Sequence, residues 1–159
     1  MRGPSQSTVS VGGTHGCLHA EVPIRQGLPT VLVSAAALVD LDGRVLVGQR
    51  PKGKAMAGLW EFPGGKVAEG ETPEVALIRE LKEELDIDVT LSCLAPIAFA
   101  SHSYETFHLL MPVYACRIWQ GTIRGMEGQA VRWLRPARLS DLQMPPADLP
   151  LVALLRDLI

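Results

Sequence analysis

The sequence predicts an α/β domain, a sandwich of strands and two helices. Three observations carry that expectation. Apolar, β-branched runs of strand length recur along the chain, beginning at Thr30 to Val39. Leu77, Ile78, Leu81 and Leu85 recur at a helical period in the middle of the chain. Leu151, Leu154, Leu155 and Leu158 do the same at its end. With 159 residues, 47% of them hydrophobic, one domain has enough mass for a real core.

The elements follow in order. Residues 1–27 are rich in Gly, Ser, Thr, Pro and His without sustained periodicity, and read as a flexible leader to a domain at 28–159. His15 and His19 have helical metal spacing, but Gly12, Gly13 and Gly16 argue against a helix there, so the pair reads as incidental. Thr30 to Val39 is a buried strand, and Asp42-Gly43 a turn that returns the chain as a hairpin along Arg44 to Gln49. Pro51 to Lys54 is a basic loop, and Gly58 to Pro63 a short extended piece. A glycine loop at Gly64-Gly65 leads to Thr72, a good N-cap, and Pro73, suited to the first helical position. That helix ends near Leu85-Asp86, where Asp tolerates the left-handed conformation.

Beyond it, Ile87 to Ala100 reads as one strand or two around Pro96. Thr106 to Trp119 is a long strand in which Pro112 demands a bulge or an unpaired edge. Ala130 to Leu134 is a further strand, Pro136 to Leu142 a helical turn, and Asp148 to Leu158 the last helix.

Charge and cysteine usage exclude several function classes. A formal charge of −2 leaves no basic footprint for duplex nucleic acid and no polybasic membrane patch. No apolar run approaches the ~18 residues that span a bilayer. Cys17, Cys93 and Cys116 are odd in number and far apart, which fits idle thiols in a reducing cytoplasm.

Chemistry concentrates in the first helix. Glu80, Glu83 and Glu84 stand at i, i+3 and i+4 and share a face. Like charges so placed cost about 0.2–0.5 kcal/mol per pair. A divalent cation is the simplest offset, and hard oxygen ligands select Mg²⁺ or Mn²⁺ over Zn²⁺. The bland alternative is a solvated helix face. Against it stands the register: Gly65, five residues, Glu71, seven residues, then Arg79-Glu80-Leu81-Lys82-Glu83-Glu84.

That pattern resembles the Nudix box, the signature of the Nudix hydrolases. Asp86 departs from it, standing where the family has Gly at the helix exit. Trp60 to Lys66, Glu127-Gly128-Gln129 and Pro145 to Asp148 further resemble the MutT branch. The likeness covers roughly Thr30 to Ile159. It implies the Nudix fold, a mixed, curved β-sheet sandwiched between α-helices.

It also implies metal-dependent hydrolysis of a nucleoside triphosphate to a monophosphate and pyrophosphate. The substrate implied first is 8-oxo-dGTP, with a role in nucleotide-pool sanitation. CTP or a modified pyrimidine triphosphate is the alternative. A non-catalytic nucleotide sensor on the same fold would be expected to lose box glutamates that this chain keeps. The implied metal ligands are Glu80, Glu83, Glu84 and Glu127, with the carbonyl of Gly64 or Gly65. Glu80, Glu71 and Glu127 are the candidate bases, unranked, and Arg79 is the orienting residue. Arg50, Phe62, Lys66 and Asp148 are the implied substrate contacts. Asp148 has a second reading as the N-cap of the last helix. His102, Tyr104 and His108 are candidate pocket residues, and Lys52 and Lys54 candidate phosphate contacts.

Overall fold

The computed structural model describes residues 27–159. The leader reading, His15, His19 and Cys17 lie outside the described residues. Seven strands, β1 (Thr30–Leu38), β2 (Val45–Gln49), β3 (Trp60–Glu61), β4 (Gly64–Lys66), β5 (Ala95–Ser103), β6 (His108–Cys116) and β7 (Val131–Leu134), form two sheets. One is mixed, in the order β4-β1-β6-β5, with β1 and β6 parallel. The other is antiparallel, β3-β2-β7. The described residues also form two α-helices, α1 (Pro73–Leu85) and α2 (Leu149–Leu158), and two short 3-10 turns.

β1 explains the layering. Its alternate residues are buried on both faces. Ala36 and Leu38 pack with α1 residues Leu77, Leu81 and Leu85, while Ala35, Ala37 and Val39 join a second core with α2 residues Leu151 and Leu155. A strand buried on both sides reads as a continuous apolar run, as this one does.

The Nudix-type α/β arrangement is present, but four details differ from expectation. β2 does not pair along β1, because β4 and β6 occupy both edges of β1. Only Val39 and Val45 bridge at the turn, after which the strands enter different sheets. The glycine pair is a strand rather than a loop, since β4 pairs antiparallel with β1. Pro112 sits in a central strand: the β1–β6 ladder is interrupted there, between Leu32↔Leu110 and Ala35↔Val113, and the bulge lies in β5 after Pro96. On α2 only Leu151 and Leu155 are buried, and Leu154 and Leu158 face solvent.

Candidate active site

α1 is placed by its two ends. The Thr72 hydroxyl accepts from the Val75 amide at 3.4 Å, with Pro73 at the first helical position. Asp86 closes the helix in the left-handed region, φ 57°, where the box usually has Gly. Between them the leucine side is fully buried, which fixes the phase of the glutamates.

The glycines bring that face against β4. A Cβ on Gly65 would lie 2.2 Å from the Glu80 carboxyl carbon, and one on Gly64 would lie 2.1 Å from the Ser34 carbonyl oxygen. A side chain at Gly64 would strike backbone, and one at Gly65 would push the Glu80 carboxylate aside. The Gly64 amide donates to Glu84 at 3.3 Å.

Arg79 organises the carboxylates. Its guanidinium donates to Glu71 at 2.8 and 2.9 Å, to Glu80 at 2.7 Å, to Glu83 at 3.4 Å and to the Lys66 carbonyl at 3.2 Å. Glu71 and Glu80 push Arg79 up, and Arg79 in turn holds Glu71 down at about 2. Glu71 also accepts from the Ala68 amide at 3.0 Å, so both its oxygens are engaged. Glu83 is exposed and outside the cavity.

A cavity of about 420 Å³ opens beside this cluster. One end is acidic, lined by Glu61, Glu80, Glu84 and Glu127. Glu84 is pushed up to about 7, chiefly by burial, with Glu80, Glu127 and Glu61 adding repulsion. Arg50 pairs with Glu61, and Lys54 pairs with Glu127. Among the described residues no three acidic, His or Cys side chains stand close enough to hold one ion between them. The donor set still suits a hard cation in kind, being all oxygen and held against a glycine that leaves it room. Three of its carboxylates, Glu61, Glu80 and Glu127, carry protein cations.

The other end is apolar. Phe62, Tyr104, Phe107, Leu109 and Met111 line it. Tyr104 and Phe107 stack at 4.8 Å across the β5–β6 turn. Asp148 projects into this end, 5% exposed. Its side chain makes no capping bond, so it is not a side-chain N-cap for α2. Burial, and then repulsion from Glu61, raise it from 3.8 to about 8. It is therefore a neutral carboxylic acid near pH 7, able to donate as well as accept.

Arg50, Phe62, Lys66 and Asp148 all line the cavity, with Gly64, Gly65, Glu80, Glu84 and Glu127. Glu71, Glu83 and Arg79 do not. Neither do His102 and His108. His102 packs edge-on against Tyr104, and His108 bridges Ser101 and Ser103 at 3.0 and 2.8 Å. Sequence reasoning left several cavity residues without a site role, among them Glu61, Met56, Phe107, Leu109 and Met111. Glu61 carried a signal, as a lone carboxylate within the apolar stretch Leu59 to Phe62. Met56 and Phe107 carried none.

The family model described as NUDIX domain matches residues 34–154. The chain is 39% identical over 119 residues to a CTP pyrophosphohydrolase of Escherichia coli, covering 74% of this chain and 85% of the relative. It is 36% identical over 129 residues to an 8-oxo-dGTP diphosphatase of Haemophilus influenzae, covering 77% and 88%. A solved MutT structure, from work on Aliivibrio salmonicida and Vibrio cholerae, superposes with a TM-score of 0.68 at 31% identity. That match covers 82% of this chain and 99% of the other.

Proposed function

The chain belongs to the Nudix family, as a hydrolase of nucleoside triphosphates, and we propose that its first substrate is 8-oxo-dGTP, cleaved to 8-oxo-dGMP and pyrophosphate. The observation that carries the base assignment is the neutral, buried Asp148 at the apolar end of the cavity. A neutral carboxyl offers one donor beside one acceptor. The O6/N7–H edge of 8-oxoguanine presents the complementary pair. Guanine offers two acceptors along that edge, and the mismatch leaves a buried acceptor unpaired, which is expensive. Phe62, Tyr104 and Phe107 supply the apolar surface for the ring.

At the acidic end, the Nudix family typically uses a divalent metal, and we assign Mg²⁺, with Mn²⁺ as substitute. Glu80, Glu83, Glu84 and Glu127, with a Gly64 or Gly65 carbonyl, are the residues that would hold it. When bound, such a cation neutralises polyphosphate charge and polarises the phosphoanhydride. Glu80 accepts the proton of the attacking water as oxygen bonds to the β-phosphorus and the bond to the α-phosphate oxygen breaks. Arg79 and Glu71 position Glu80 and do not themselves exchange protons. Arg50 and Lys66 face the phosphates from the cavity wall. The free thiols Cys93 and Cys116 suit a reducing, cytoplasmic setting. Among the described residues no helix is long and apolar enough to cross a membrane.

One observation favours a second substrate. Cytosine's N3/N4–H edge also presents an acceptor beside a donor, and the E. coli relative at 39% identity is a CTP pyrophosphohydrolase. A single assay separates the readings: Mg²⁺, a panel of triphosphates, and chromatography of the products. Preference for 8-oxo-dGTP over dGTP and CTP is expected. Preference for CTP keeps the enzyme and replaces the base. No turnover of any triphosphate rejects the enzyme.

A further inference from the structure

We propose that Lys54 is the built-in counter-cation of the acidic end: it holds Glu127 until a divalent cation arrives, then turns to the polyphosphate. The proposal rests on the metal-dependent reading above and adds a residue to it.

The charges point this way. Four carboxylates line the acidic end, and three have a basic partner: Glu61 has Arg50, Glu80 has Arg79 and Glu127 has Lys54. The three partners are not equivalent. Arg79 is fixed by contacts to three residues besides Glu80, namely Glu71, Glu83 and Lys66, and lies outside the cavity. Arg50 is fixed as well, donating from Nε to the Ala55 carbonyl at 2.7 Å while it pairs with Glu61. Both are planar forks locked into the structure. Lys54 has a single bond from its ammonium, to Glu127, and its side chain is half exposed. It is a compact charge on a flexible stem, which suits exchange.

The loop that carries Lys54 is nevertheless built. The Gly58 amide donates to the Arg50 carbonyl, and the Arg50 amide to the Leu59 carbonyl, each at 2.9 Å. Gln49 donates to the Gly58 carbonyl, also at 2.9 Å. The loop's two ends are thus tied together, and the Lys54 side chain reaches from between them, half exposed. It lines the cavity, lies within the field of Glu84 as well as Glu127, and joins two loops distant in sequence. A cation entering this cluster competes with it directly, and the displaced ammonium stays at the wall the phosphates must pass.

The test measures Mn²⁺ binding to the nucleotide-free full chain by electron paramagnetic resonance, beside KM for the triphosphate. Lys52 supplies the control. It stands two residues away in the same loop, and Lys52→Met deletes the same charge without touching Glu127. Lys54→Met is expected to tighten Mn²⁺ about fivefold relative to Lys52→Met, the scale of an exposed ion pair. It is expected at the same time to raise KM about fivefold. Effects of opposite sign separate exchange from mere damage to the loop, which weakens both. Lys54→Arg, which keeps the pair, should restore wild-type Mn²⁺ affinity. Mn²⁺ binding equal to that of Lys52→Met, or weaker, overturns the proposal. So does Glu127→Gln binding Mn²⁺ as wild type does, because Glu127 is then not a ligand. Triphosphate turnover in those same preparations reports on the enzymatic reading separately.

Discussion

The two ends of the cavity are built in opposite ways. The acidic end is centred on one helix and the glycine strand beside it, within about twenty residues of chain from Gly64 to Glu84, with Glu61 and Glu127 joining from outside that stretch. The apolar end gathers Phe62, the Tyr104–Phe107 turn, Leu109 and Met111 of β6, and Asp148 just before α2. At the first end the carboxylates lie close together and are compensated by Arg79, Arg50 and Lys54. At the second, a single carboxyl is stripped of water and held neutral. Both ends raise a carboxyl above its ordinary value mainly by burial, but only Glu84 has several other carboxylates beside it. Crowded charge suits a cation and phosphates. Isolated neutrality suits the edge of a base.

Glu80→Gln probes the first end with the largest expected effect. The amide keeps an acceptor for Arg79 and nearly the same volume. The ability to take a proton is lost. We expect kcat to fall by about 10³, in the range typical of a removed general base. KM and melting temperature should barely move. A mutant turning over within tenfold of wild type would pass the base role to Glu84 or Glu127.

The apolar end is probed by Asp148, with smaller and pH-dependent effects. Asp148→Ala removes the base contact, and we expect KM for 8-oxo-dGTP to rise about 10²-fold with kcat little changed. Asp148→Asn retains a donor and an acceptor but cannot ionise, so it should bind near neutral pH much as wild type does. The sign of its stability effect follows from linkage. Wild-type Asp148 holds its proton more tightly folded than unfolded, about 8 against the ordinary 3.8. The stability this provides is full below 3.8 and is lost as pH rises toward 8. Asp148→Asn has no such loss. Its melting temperature relative to wild type should therefore climb between pH 5 and pH 9. Parallel melting curves across that range would mean that Asp148 is already ionised in the folded protein.

This difference also decides what the sequence could reveal. The acidic end was legible because spacing along a helix is spacing in space: Glu80, Glu83 and Glu84 needed only a period of 3.6 to share a face. Glu71 and Arg79 were legible through the register of the box. The apolar end depends on which strands neighbour one another. Nothing local states that β6 lies parallel beside β1, or that the β5–β6 turn brings Phe107 over the cavity. Asp148 could be placed only by likeness, and its capping alternative was removed by its orientation, a tertiary fact. The hairpin expectation failed for the same reason. Asp42-Gly43 does turn the chain, but competition from β4 and β6 for the edges of β1 sends β2 to another sheet.

The smallest effect asks what holds the acidic end in place. If its geometry depended on how α1 begins, weakening the N-cap would disturb catalysis. The Thr72 hydroxyl bond to Val75 is long, at 3.4 Å, and exposed. Thr72→Ala should then cost about 0.5–1 kcal/mol, the low end for a lost cap. The glutamates of α1 that line the cavity begin two turns further on, where Leu77, Leu81 and Leu85 are fully buried and Arg79 ties the helix to Glu71 and to the Lys66 carbonyl. That packing, not the cap, sets their phase. Thermal melting of Thr72→Ala should drop by a few degrees, while kcat and KM stay within twofold of wild type. A kcat loss larger than the stability loss would show that the phase of the α1 glutamates depends on the cap after all.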